Sequence, residues 1–128
     1  MANAHSPVRL GDKGEDVAAR YLTAHGFRIM DRNYRFERNE IDLVCYEPDE
    51  DDQGGELVFV EVKTRSGLGY GTPDESVTEA KQQAIRSVAQ AYLYERQLEG
   101  APARFDVVSV VLNQDDPPDV KHHRNAFF

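Results

Sequence analysis

The alternation of apolar and polar positions changes period along the chain, and each change predicts an element. Within about residues 10 to 25, Val17, Ala18, Tyr21 and Leu22 recur at helical spacing, which predicts a first helix stopped near Gly26. "FRIMDRNYRF" then reads as a strand with Phe27, Ile29 and Met30 as its apolar positions. "EIDLVCYE" is a second strand. Its period of two places Ile41, Leu43 and Cys45 on one face and Glu40, Asp42, Val44 and Tyr46 on the other. "ELVFVEVKTR" is a third strand, and Pro48 and Gly54-Gly55 mark a turn between the two, so they are expected to pair as an antiparallel hairpin. "SGLGYGTPDE" is too rich in Gly and Pro for a regular element. The strongest helical signal is "SVTEAKQQAIRSVAQAYLYERQL", with Ser76 and Glu79 as a capping box. Its apolar stripe is Val77, Ala80, Ala84, Ile85, Val88, Tyr92 and Leu93, and Gly100 and Pro102 end it. "RFDVVSVVL", nearly continuous in Val, is an inner strand. The fold class is therefore α/β, a mixed sheet flanked by helices in the order α-β-β-β-α-β. One domain is expected over 1–128, with its core at about 10–112 and a loosely structured tail at 113–128.

Several charges break this pattern. Asp42 interrupts the apolar "IDLV", and Glu61 and Lys63 follow Leu57–Val60 and share one strand face. Hairpin pairing is expected to bring Asp42 alongside them. On the helices, Glu15 borders the first apolar stripe, where Asp12 and Glu15 also fit a capping pair, and Lys81 lies within the second stripe. These residues would gather three carboxylates and one or two ammonium groups on one side of the sheet. A salt-bridge cluster is one reading, although desolvating several charges can cost more than their pairing returns. The other reading is chemistry. Carboxylates without Cys or clustered His suit a hard divalent cation, Mg²⁺ or Mn²⁺. Such an ion on Asp42 and Glu61 would lower the pKa of a bound water, and Lys63 could orient that water or stabilise charge on a phosphate. His5, His25, His122 and His123 are scattered, so zinc is not favoured.

Composition bounds the partners. The formal net charge of −8 argues against a protein coated with positive charge for nucleic acid, but six acids and no base lie in 47–56, leaving −2 for the rest. "DRNYRFER" gathers Arg32, Arg35 and Arg38 around Tyr34 and Phe36, a local basic surface within an acidic whole. The lone Cys45 makes no internal disulfide, no apolar run spans a membrane, and no secretory h-region opens the chain, which together indicate the cytoplasm.

The pattern "GE…A…YL…GF…I…RNYR…EIDLV…FVEVKTR…K…A…YL…RFDVVSV", covering about residues 10 to 112, resembles the small bacterial YraN-like family. That family is assigned to the restriction-endonuclease-like PD-(D/E)XK superfamily and described as similar to Holliday junction resolvases. The resemblance implies a nuclease-like sheet carrying a metal site. Asp42 matches the metal-binding acid, Glu61 the second acid, Lys63 the catalytic lysine and Glu15 the first-helix glutamate, while Lys81 resembles a recurring lysine on the following helix. Asn39 stands where the family's "GEID" pattern has Gly, and Asn also tolerates a left-handed backbone. The expectation is a Mg²⁺- or Mn²⁺-dependent endonuclease on branched or structured DNA. Arg35, Arg38, Arg65 and Lys81 would contact nucleic acid, the last two beside the "TRSGLGYG" loop and on the following helix. A resolvase-like enzyme is expected to act as a symmetric homodimer. The alternatives are a nucleic-acid-binding or repair-accessory protein that does not cut, and an acidic interaction domain whose inward charges only pair with one another.

Overall fold

The structure, a computed structural model, describes residues 10–51, 54–66 and 77–127. In chain order the elements are α1 (Leu10–Ala24), β1 (Arg28–Phe36), β2 (Asn39–Pro48), β3 (Gly55–Ser66), α2 (Glu79–Glu95), β4 (Ala103–Leu112) and β5 (Asp119–Phe127). The strands form one five-stranded sheet in the order β1-β2-β3-β4-β5. Among the described residues only β3 and β4 pair in parallel, joined across one face by α2, and the other neighbours are antiparallel. This is a mixed α/β architecture with the helices on opposite faces of the sheet.

Side-chain alternation divides the core in two. Against α1 lie Leu43, Cys45, Val58, Val60, Val108 and Val110, meeting Ala18 and Leu22. Against α2 lie Val44, Leu57 and Phe59, meeting Ile85, Val88, Ala89 and Tyr92. Burial on both faces is why β3 and β4 read as near-continuous apolar runs.

The sequence expectations need five corrections. The region expected as a loose tail contains β5, so the element order is α-β-β-β-α-β-β. β5 alternates too few apolar residues to announce itself. Val120 and Phe127 reach the two core halves, and between them His122 bonds the buried Asp106 at 2.7 Å. Ile41 packs with Val44 on the α2 side instead of with Leu43, because the alternation slips at Asp42. The pairs Arg32↔Leu43 and Tyr34↔Ile41 bracket Asn33, whose φ is +52°. The hairpin turn takes its left-handed residue at Glu37 (φ +57°), with Asn39 already in β2. α2 starts at Glu79 with Thr78 as N-cap, its hydroxyl accepting from Lys81 N–H at 3.2 Å; Ser76 lies outside the described residues. Asp12 lies inside the first turn of α1, so it is not a cap for Glu15.

Candidate active site

The hairpin of β2 and β3 is regular from Pro48↔Gly55 to Leu43↔Val60, and there the pairing ends. Beyond it the two strands diverge, and the gap holds Asp42 on one side and Glu61 on the other. The next amide of β3, Val62 N–H, would be left without its ladder partner. Asp42 supplies one, with Oδ2 accepting from Val62 N at 2.7 Å. A strand that parts from its neighbour must satisfy its backbone in some other way, and here a carboxylate does it.

Both helices begin at this fork. Gly14 lets α1 lie directly on β3, since a methyl group there would overlap the Thr64 side chain. That close approach delivers Glu15, whose side chain is 12% exposed, to the α1 side of Asp42. Asn33 Nδ2 donates to Glu15 Oε1 at 3.0 Å, and the Arg32 guanidinium lies 3.7 Å from the same oxygen. From the opposite face the first turn of α2 brings Lys81 Nζ to 3.7 Å from Glu61 Oε2. The charges therefore enter the gap from both faces of the sheet, not from one side as the strand period alone suggested. Lys63, one side-chain period beyond Glu61, contributes a positive field on that carboxylate.

Asp42 is the hub: the Glu61 charge acts on it, and its own charge acts on Glu15. Burial, then the charge of Glu61, pushes the Asp42 carboxyl up to about 7, against the opposing Val62 N–H and Lys81. Burial also raises Glu61, although Lys81, Asp42 and Lys63 pull it down. Glu15 is raised by burial and by Asp42, and lowered by Asn33 and Arg32. Near neutral pH the trio thus tends to retain a proton among its carboxylates. The donor set is all oxygen and suits a hard divalent cation in the place of that proton. Among the described residues no three acid, His or Cys side chains form a ready-made ion cage. Mg²⁺ does not require one, since it usually keeps several waters and takes one or two carboxylates plus substrate phosphate. Asp42 and Glu61 fit that mode.

The expected nucleic-acid contacts divide. Lys81 is committed to Glu61. Arg35 is exposed on the β1–β2 hairpin with Glu40 at 3.4 Å, Arg38 is exposed at its tip, and Arg65 is exposed near the end of β3. Arg32, part of the expected basic surface, is tied to Asp16 at 2.9 Å. The "GLGYG" part of the loop lies outside the described residues. Sequence reasoning missed the supporting residues Asn33, Gly14 and the Val62 amide. Asn33 and Gly14 sit within quoted motifs, but nothing in a linear pattern says which acid an Asn will hold. No helix among the described residues is long and apolar enough to cross a membrane.

The model of "Uncharacterised protein family UPF0102" matches residues 14–110. A UPF0102 protein of Rhodococcus opacus is 48% identical over 124 residues, covering 97% of this chain and 99% of its own. One from Symbiobacterium thermophilum is 48% identical over 119 residues, covering 93% and 96%. Another, from Geobacter sulfurreducens, is 42% identical over 124 residues, covering 97% and 92%. The match spans the fork, both helices and the strands that carry every acid in it, and on that ground the chain belongs to the YraN-like family UPF0102.

Proposed function

We propose that the fork is the active centre of a divalent-metal-dependent endonuclease of the restriction-endonuclease-like class, acting on branched or structured DNA. The observation that carries this reading is the parting of β2 and β3 after Leu43↔Val60, with Asp42 and Glu61 facing each other in the gap and Lys63 one period on. Burial and the neighbouring Glu61 raise Asp42 to about 7, which costs stability at neutral pH and supports a functional reason for placing an acid there.

Asp42 and Glu61, with Glu15 directly or through water, would hold Mg²⁺ or Mn²⁺, which supplies an acidified water and a counter-charge for the phosphate. The chain's own residues do the rest. The Val62 N–H fixes the Asp42 carboxylate, Asn33 and Arg32 fix Glu15, and Lys81 fixes Glu61. The Lys63 ammonium orients the attacking water or meets the charge that grows on the phosphate oxygens. Arg35, Arg38 and Arg65, exposed near the same end of the sheet, would contact phosphates.

The test is incubation of the pure protein with plasmid, flap and four-way-junction DNA in Mg²⁺ or Mn²⁺, beside Asp42→Ala and Lys63→Ala. Metal-dependent cutting by the wild type, lost in both variants, is the expected result. DNA binding without cutting in all three proteins would replace this reading with the accessory one. That second reading is favoured by the Lys81–Glu61 pair and the Asp42–Val62 bond, which already give the charges partners without an ion.

A further inference from the structure

The fork continues sideways across the sheet. Parallel pairing sets Lys63 on β3 beside Ser109 on β4, and antiparallel pairing sets Ser109 opposite Lys121 on β5. Residues paired directly across strands share a face, so the three form one row. Glu61, Val107 and His123 form the row before it by the same registers. The face is that of Glu61, toward α2, because residues 57, 59, 61 and 63 alternate together and Leu57 and Phe59 pack against α2. Two strand spacings separate the backbones of Lys63 and Lys121 by about 10 Å, the length of about three stacked nucleotides at about 3.4 Å each.

The row is basic at both ends and small in the middle. Lys121 is exposed. Ser109 is 2% exposed, and among the described residues its Oγ has no hydrogen-bond partner. A buried hydroxyl left unpaired is uncommon in a native sheet. An ammonium is a compact charge with three rotatable donors, suited to phosphate and indifferent to the base attached.

We propose that Lys63, Ser109 and Lys121 form a phosphate track, in which Lys121 holds the backbone of the nucleic-acid strand beside the phosphodiester presented at the fork. Ser109 Oγ donates to a phosphate oxygen when the neighbouring side chains turn toward that strand. The track rests on the proposed nuclease reading and adds to it a binding residue from β5. It is independent of sequence, because none of its groups reads a base edge.

The experiment measures anisotropy of a fluorescein-labelled four-way junction, with EDTA present to prevent cutting, from about 50 to about 200 mM salt. The proteins are wild type, Lys121→Ala, Lys121→Arg and Ser109→Ala. Loss of one phosphate contact lowers the slope of log K against log salt by about 0.9. Lys121→Ala is expected to show that drop, and Lys121→Arg to restore the slope. Ser109→Ala, which removes no charge, should weaken binding at unchanged slope. A purely structural lysine would shift the melt and leave the slope alone, and that result overturns the track. An unchanged slope in Lys121→Ala, with the wild type binding normally, overturns it too while leaving the nuclease reading intact. Unchanged affinity in Ser109→Ala removes the hydroxyl from it. A wild type that shows no salt-dependent binding overturns the track, and the cleavage assay in Mg²⁺ or Mn²⁺ then decides the nuclease reading separately.

Discussion

Asp42 is pulled in two directions. The Val62 amide favours its charged form, while burial and the neighbouring Glu61 disfavour it and prevail, raising the carboxyl to about 7. The folded state therefore binds this proton more tightly than the unfolded chain does, and stability falls as pH rises from about 4 to about 7. Asp42→Asn removes the charge and keeps an oxygen for Val62 N–H. We expect it to stabilise the protein at pH 8 by at most about 4 kcal/mol, and by almost nothing at pH 4, in urea unfolding. A loss of stability at pH 8 would mean that Asp42 is structural. Asp106 is the opposite case. It is wholly buried, yet it accepts from Arg104 Nε at 2.9 Å and Nη2 at 3.1 Å, and from Asn125 N–H at 2.9 Å, with His122 Nε2 at 2.7 Å. Burial alone would raise its pKa, but His122, Arg104 and Asn125 together hold it below the usual carboxylate range. Its contribution is present above about pH 4 and lost as pH falls through its depressed folded value. Asp106→Asn should cost about 3–5 kcal/mol at pH 7, and the gap to wild type should close in acid unfolding below about pH 4. Both acids are plain "D" in the sequence. Asp42 was legible as unusual because apolar residues flank it, whereas Asp106 was hidden because two of its three partners, His122 and Asn125, lie on β5, which linear pattern did not reveal.

At the scale of elements, the site exists because a hairpin stops pairing before it runs out of residues. The chain announces the hairpin clearly through alternation and a Pro/Gly turn. It does not announce where the ladder ends, since that depends on the left-handed Asn33 beside Asp42 and on a helix held close to β3. The closeness is set by Gly14. A side chain at this position meets Thr64, so Gly14→Ala should cost about 1–3 kcal/mol through overpacking, despite the better helix propensity of Ala. Urea unfolding checks the cost. A neutral or stabilising result would show that α1 can lift without penalty, and would weaken the argument that Glu15 is held in place. β5 shows the limit of periodicity: its polar residues engage buried partners, so its inward face does not look apolar.

At the scale of the whole molecule, charge is segregated. β2 runs from Asn39 to Pro48 and β3 returns from Gly55, so the acidic turn lies at the opposite end of the hairpin from the fork. There Glu47 and Glu56 meet Arg104 at 2.6 and 3.0 Å, and Arg124 reaches Glu47 at 2.7 Å. The net charge of −8 therefore says little about the surface around Asp42. Replacing Asp49, Glu50 and Asp51 with their amides should raise DNA association at low salt by about a few-fold, with the gain fading as salt screens it. Cleavage within the bound complex should not change, as single-turnover assays would show; a changed single-turnover rate would place that turn in the site. The sequence by itself determined the helices, the hairpin and the inner strand, and marked Asp42, Glu61 and Lys63 as charges out of place, because local periodicity and its interruption are written into neighbouring residues. Only the tertiary structure decided that the acids meet in a gap open to both faces, that Lys81 belongs to Glu61, and that the end of the chain completes the sheet. Those outcomes depend on where a ladder stops and on contacts between residues far apart in the chain, which no local pattern encodes.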